Sequence, residues 1–229
     1  MRIQSLNVAT PGLIEYRGES VMTGINKLPT NDALLVRRYN IDGDAQADLS
    51  VHGGVDKAVY AFPSEHYSFF QAELQQDAYP PGQFGENLTT QGLLEANVRI
   101  GDRYRVGEAL FEVSQPRSPC YKFAIKMGTA EALAVMINSA RTGMYLRVLR
   151  EGMIQAGDPL ELEYSDSSAP SVDEVHRLYY LDRKNIEGLV RALRCERLSQ
   201  EFRGEFALRY EKLSAGSATP AQAGDDHDN

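Results

Sequence analysis

The chain has 229 residues and a formal net charge of −8. That length buries a sizeable core without disulfide staples, and the acidic balance excludes a sequence-independent grip on duplex phosphates, so no nucleic acid polymer is expected as a partner. Two cysteines 75 positions apart are too few for a disulfide framework and fit a reducing compartment. No apolar run flanked by basic residues opens the chain and no stretch of 18 apolar residues occurs, so neither a signal peptide nor a membrane span is expected, and the cytoplasm is the expected compartment.

The first two thirds of the chain predict a mainly β unit with helical interruptions. A helix is expected after Pro63, with Tyr67, Phe70 and Leu74 on one face. From Val98 to Tyr164 short alternating runs predict half-buried strands: Ala109, Phe111 and Val113 share a face, and Leu160, Leu162 and Tyr164 repeat the pattern. Between these runs a second helix is expected from about Thr129 to Ala140, with Leu133, Met136 and Ile137 as its stripe and Gly143 as its stop. The polar connector Ser165 to Pro170 then closes the β unit, assigned to residues 1–165. Three short helices are expected in residues 166–213, the first opened by a Ser171/Glu174 capping box. Residues 214–229 are poor in large apolar groups and are expected to form a disordered tail.

Chemistry concentrates in three short stretches. Cys120 follows Gln115-Pro116-Arg117-Ser118-Pro119, a proline-locked loop that cannot begin a helix before the cysteine. Arg117 and Lys122 set positive charge on both sides, which favours a thiolate able to ligate a metal or attack, although a free cysteine is also a good small buried hydrophobe. His52-Gly53-Gly54 followed by Asp56 and Lys57 joins an imidazole and an ammonium to a turn whose backbone can approach an anion closely; a plain tight turn satisfies the same pattern. Phe84-Gly85-Glu86-Asn87 brings an amide side chain to a strand start, where Asn87 either orients a ligand or caps its own turn. His52, Asp56 and Glu86 are the motif residues able to move a proton. Cys195 lies on a helical pattern and is expected to pack or to face solvent. The alternating carboxylates of Asp42, Asp44 and Asp48 do not make a calcium loop, because Ala47 stands where the sharp turn needs glycine and Gly53 where a bidentate glutamate belongs. Zinc-ligand spacing and Walker or dinucleotide glycine patterns do not occur.

In order and spacing, His52-Gly53-Gly54 with Asp56-Lys57, Phe84-Gly85-Glu86-Asn87-Leu88, and Gln115-Pro116-Arg117 leading to Pro119-Cys120 resemble the MOSC family, named for the C-terminal domain of molybdenum cofactor sulfurases. The acidic stretch ahead of His52 and the helical tail narrow the resemblance to the YiiM-like branch. It implies a closed, strongly bent β-barrel plus a small three-helix unit, an α+β chain overall. It also implies a molybdenum cofactor with Cys120 as the protein's metal ligand, and catalytic roles among Cys120, His52 and Asp56. His52, Gly53, Gly54, Lys57, Asn87, Arg117 and Lys122 are its expected binding residues, chosen by position and charge. Members of the family are associated with reduction of N-hydroxylated compounds such as hydroxylaminopurine, so small N-hydroxylated substrates are implied. No flavin, haem or iron–sulfur signature is present, so electrons are expected from a separate flavin-type reductase. A homodimer is compatible with these features. Two other readings stay open: a carrier of cofactor or of persulfide sulfur on Cys120, and a binding module that tolerates loss of Cys120.

Overall fold

Alternating burial along the strands divides the molecule into two cores. The computed structural model describes residues 1–45 and 53–216. Its first elements are β1 (Arg2–Val8), β2 (Gly12–Tyr16), β3 (Glu19–Thr23), β4 (Leu28–Thr30), β5 (Leu34–Val36), a 3-10 turn (Val55–Lys57), β6 (Val59–Pro63) and α1 (Tyr67–Glu73). There follow β7 (Leu88–Gln91), β8 (Arg103–Val106), β9 (Ala109–Pro116), α2 (Tyr121–Met127), α3 (Glu131–Ser139), β10 (Met144–Arg150), β11 (Gly152–Ile154) and β12 (Glu161–Tyr164). Eight strands pair in the order β12-β8-β9-β10-β6-β7-β1-β4, antiparallel throughout except for β6 and β7. Because side chains alternate across a strand, Val59 and Ala61 of β6 enter one apolar cluster while Tyr60 and Phe62 enter the other. The second cluster packs Phe70 and Leu74 around α1, Phe123 and Met127 from α2, and Ala132 and Met136 from α3.

The sheet is curled but open, which corrects the closed barrel expected from the resemblance. Its edge strands β12 and β4 do not pair with each other. Instead, the turn ahead of β12 ties to the start of β1, with Ile3 N donating to Asp158 O at 2.9 Å and Leu160 N to Met1 O at 3.1 Å. This turn contact takes the place of a closing ladder. The same edge position explains why the second predicted alternating face fails. Leu160 is buried, but Leu162 is 51% exposed and Tyr164 lies outside, its ring beneath Arg103 and Arg197, because among the described residues no layer covers this side of β12. The predicted face of Ala109, Phe111 and Val113 is fully buried.

The helix carrying Met136 ends at Ala140 as expected, but the stop is Ala140 itself, with a left-handed φ of 56°, and not Gly143. The tail beyond the connector forms α4 (Val172–Tyr180), α5 (Ile186–Arg194) and α6 (Gln200–Gly216), so helix continues past Ser214 into the segment expected to be disordered. The capping box is present: Ser171 Oγ accepts from Glu174 N at 3.1 Å and Ser171 N donates to the Glu174 carboxylate at 2.7 Å. Val175 of α4, Leu189 of α5, and Phe202 and Phe206 of α6 join the first cluster, so these helices share the sheet's core. Cys195 caps the C-terminus of α5, half-buried against that core. Among the described residues no helix is long and apolar enough to cross a membrane.

Candidate functional site

Pro116 and Pro119 keep the chain extended beyond β9 until Cys120, the residue immediately before α2. There the thiol, half-buried, borders a cavity also lined by Lys57, Asn87, Arg117 and Lys122, so five side chains singled out in the sequence meet in one place. Central strands contribute Tyr60 from β6 and Tyr145 from β10, and the opposite wall comes from the segment after β3 with Gly24, Ile25 and Lys27. Gly85 permits the two walls to approach: with φ at +78°, any Cβ there would lie 2.8 Å from Ile25 Cγ1.

Each charge is held by a definite set of contacts. Arg117 Nη1 donates to Phe84 O at 2.7 Å and to Tyr60 Oη at 3.3 Å, and its guanidinium lies 4.8 Å from both the Tyr60 and Phe123 ring centroids. Lys122 Nζ donates to Met22 O at 3.1 Å. Among the described residues neither Arg117 nor Lys122 has a carboxylate partner, so both charges can serve an anion. Deeper in the wall, Lys27 is in close ionic contact with Asp44, and desolvation still pushes its ammonium below the ordinary lysine value. Asp44 also accepts from Asn87 Nδ2 at 2.9 Å, while Asn87 Oδ1 accepts from Tyr60 N at 3.1 Å. Asn87 therefore staples the cavity wall as well as lining it. Burial raises the phenols of Tyr60 and Tyr145, which stay protonated at neutral pH, and the Tyr60 hydroxyl donates to Thr142 O at 2.7 Å. Among the described residues, four cationic side chains, Lys27, Lys57, Arg117 and Lys122, thus line the cavity against the single lining carboxylate of Asp44, in a protein that is acidic overall.

The remaining sequence candidates fall elsewhere. Asp56 does not line the cavity; its carboxylate accepts from Arg147 Nε at 2.6 Å and from Gln200 N at 3.1 Å, docking the start of α6. Glu86 is wholly buried and accepts from Gly82 N at 2.9 Å, Phe84 N at 3.0 Å and Thr89 Oγ1 at 2.8 Å, with the Tyr67 hydroxyl in short contact. Burial pushes its carboxyl above the ordinary glutamate value, and its work is to fold the 82–86 turn. Gly54, with φ at 93°, opens the 3-10 turn, and neither it nor Gly53 lines the cavity. His52 lies outside the described residues. Sequence reasoning missed Lys27, Tyr60 and Tyr145. Tyr60 and Tyr145 occupy strand positions that read as packing, and Lys27 finds its partner 17 residues away.

Comparison with known proteins fits this arrangement. A model of the MOSC domain matches residues 48–161, and a model of the YiiM-like 3-alpha helix domain matches residues 170–213. Protein YflK of Bacillus subtilis is 42% identical over 211 residues, covering 92% of this chain and 95% of its own. A protein named Reductase from Gibberella moniliformis is 36% identical over 148 residues, 63% of this chain and 26% of its own length. The crystal structure of YiiM from Geobacillus stearothermophilus superposes with a TM-score of 0.78 at 33% identity, covering 91% of this chain and 98% of that one.

Proposed function

The chain belongs to the MOSC domain family, with a YiiM-like three-helix domain behind the sheet, and on that premise we propose that it is a molybdenum-cofactor-dependent reductase of N-hydroxylated compounds. Oxidoreductase activity is the coarser part of this reading, and the relative named Reductase supports it. The observation that carries the finer part is a thiol opening onto a cavity lined by four cations in a protein of net charge −8.

These residues fit an anionic, sulfur-rich group. A single soft thiolate from Cys120 suits a metal whose other sulfurs come from the pterin, and Arg117 and Lys122, without acid partners among the described residues, suit its phosphate. Lys57 adds a third charge beside them. When bound, the cofactor supplies the two-electron chemistry that cleaves an N–O bond. The overall change takes R–NHOH, two electrons and two protons to R–NH2 and water. The chain's own part is to hold the anion and to fix the thiol with two prolines. Tyr60 and Tyr145 keep protonated hydroxyls on the wall, and Arg117 is clamped between two rings. Of the three motif residues able to move a proton, Asp56 and Glu86 are committed to other contacts, and His52 lies outside the described residues. Electrons are assigned to a separate flavin-type reductase.

The test is metal and pterin analysis of freshly purified protein, followed by reduction of hydroxylaminopurine with a chemical reductant. Stoichiometric molybdenum and turnover are expected, both lost in Cys120→Ala and Cys120→Ser. Bound metal without turnover in the native protein favours a carrier, and persulfide on Cys120 without metal defeats the ligand role.

A further inference from the structure

We propose that the three-helix unit supplies a residue of the site itself: Glu201, in the first turn of α6, is the internal counter-ion of Lys57, and an anion entering the cavity competes with it for that ammonium. The inference rests on the anion-binding part of the reading above and says what α6 contributes to it. Lys57 lines the cavity, and its Nζ lies 2.5 Å from Glu201 Oε2, with side-chain exposures of 15% and 45%. Among the described residues the only carboxylate lining the cavity, Asp44, is already held by Lys27 and Asn87, so Glu201, paired with the cavity-lining Lys57, is the acid whose engagement varies with that ammonium.

The pair is held in place by the bonds around it, and its ammonium is shielded, whereas both side chains of the surface pair Arg37–Asp42 are well exposed. Gln200 N donates to Asp56 Oδ2 at 3.1 Å, one residue ahead of both partners, so the first turn of α6 is bonded to the turn that carries Lys57. Arg147 grips the same place, its Nε 2.6 Å from Asp56 Oδ1 and its Nη1 2.6 Å from Arg197 O. Ser199 N adds a backbone bond to Ser114 O at 3.1 Å, joining the α5–α6 connection to β9. Glu201 also reaches Tyr145 electrostatically: burial dominates the upward push on that phenol, and the Glu201 carboxylate adds to it.

The sign of the effect separates this role from a structural one. A carboxylate that merely propped up Lys57 would weaken anion binding when removed. A competing counter-ion does the reverse, because losing one negative charge a few ångströms from the anion, on a carboxylate 45% exposed to solvent, strengthens its attraction by about 3- to 10-fold at a water-like dielectric. Calorimetric titration of inorganic pyrophosphate into the full-length protein without cofactor reads this directly. Glu201→Gln is expected to tighten binding by about 3- to 10-fold on the same reasoning, Glu201→Asp to stay near the native value, and Lys57→Ala to weaken it. In the Lys57→Ala background the gain from Glu201→Gln should shrink to within about twofold, the margin of additivity for uncoupled sites. Glu201→Ala, at a half-exposed helical position that alanine favours, provides a second variant should the glutamine fold poorly. Unchanged or weaker binding in both Glu201 variants overturns the proposal, as does an equal gain with Lys57 absent. If no form of the protein binds pyrophosphate, the anion site and this proposal fall together. Pyrophosphate binding with the expected pattern, but no reduction of hydroxylaminopurine, defeats the reductase reading and leaves the role of Glu201 standing.

Discussion

Replacing Glu86 by alanine tests whether one buried carboxylate organises the wall of the cavity. The side chain accepts two backbone donors, Gly82 N at 2.9 Å and Phe84 N at 3.0 Å, together with the hydroxyls of Thr89 and Tyr67. Rotation can turn the hydroxyls toward other acceptors, but the two amides point into the turn and would be left without a partner. Each buried donor so orphaned costs about 1–3 kcal/mol, so about 2–6 kcal/mol is at stake; relief from burying the carboxylate offsets part of this, and about 3 kcal/mol is expected. That is a large fraction of the roughly 5–15 kcal/mol typical of a folded domain. Urea unfolding read by tyrosine fluorescence measures it without interference, since the chain has 12 tyrosines and no tryptophan. The same turn offers Phe84 O to Arg117, so molybdenum content should fall along with stability. A loss below about 1 kcal/mol would refute the assignment, because it would mean that the turn satisfies its amides without the carboxylate.

Two pH dependences follow from buried groups. Burial raises the Glu86 carboxyl above its ordinary value of 4.5, so its contribution to stability is full below that value and is lost as pH rises through the folded value. Unfolding titrations of the native protein and Glu86→Gln should therefore show the stability gap moving in the variant's favour from pH 4.5 upward; a gap independent of pH contradicts this. His176 is pushed below its ordinary value of 6.5 by burial, with Nε2 2.7 Å from Ile137 O. Its unfolded form takes up a proton first, so stability should fall as pH drops through 6.5, and His176→Gln should flatten that limb. An unchanged slope in the variant would show that the imidazole does not titrate across unfolding.

What could be read in advance was local, and what could not was set by distant pairing. The Cys120 loop announced itself because prolines and flanking cations act within a few residues, and Lys57, Asn87, Arg117 and Lys122 then met it in one cavity. Lys27 carried no such signal; its role comes from Asp44 and from burial imposed by the opposite wall. Alternation along β12 was visible, but whether anything covers a strand face depends on where the strand sits in the sheet, and an edge position left Leu162 in solvent. Closure of the barrel failed for the same reason, since pairing between β12 and β4 is a property of the whole curl. The polar, proline-ended connector at residues 165–170 marked the helices as a separate unit, yet composition reports only how a linker meets water. Glu112 accepts from Arg103 at 3.0 Å, Arg147 at 3.1 Å and Arg197 at 2.7 Å, binding β8, β9, β10 and the α5–α6 connection through one buried carboxylate. A carboxylate so buried would be costly without those arginines, and one of them comes from the tail. The helices are therefore tied to the wall that carries Lys57 by a shared core and a shared ion network, even though separate family models match residues 48–161 and 170–213 on either side of the connector.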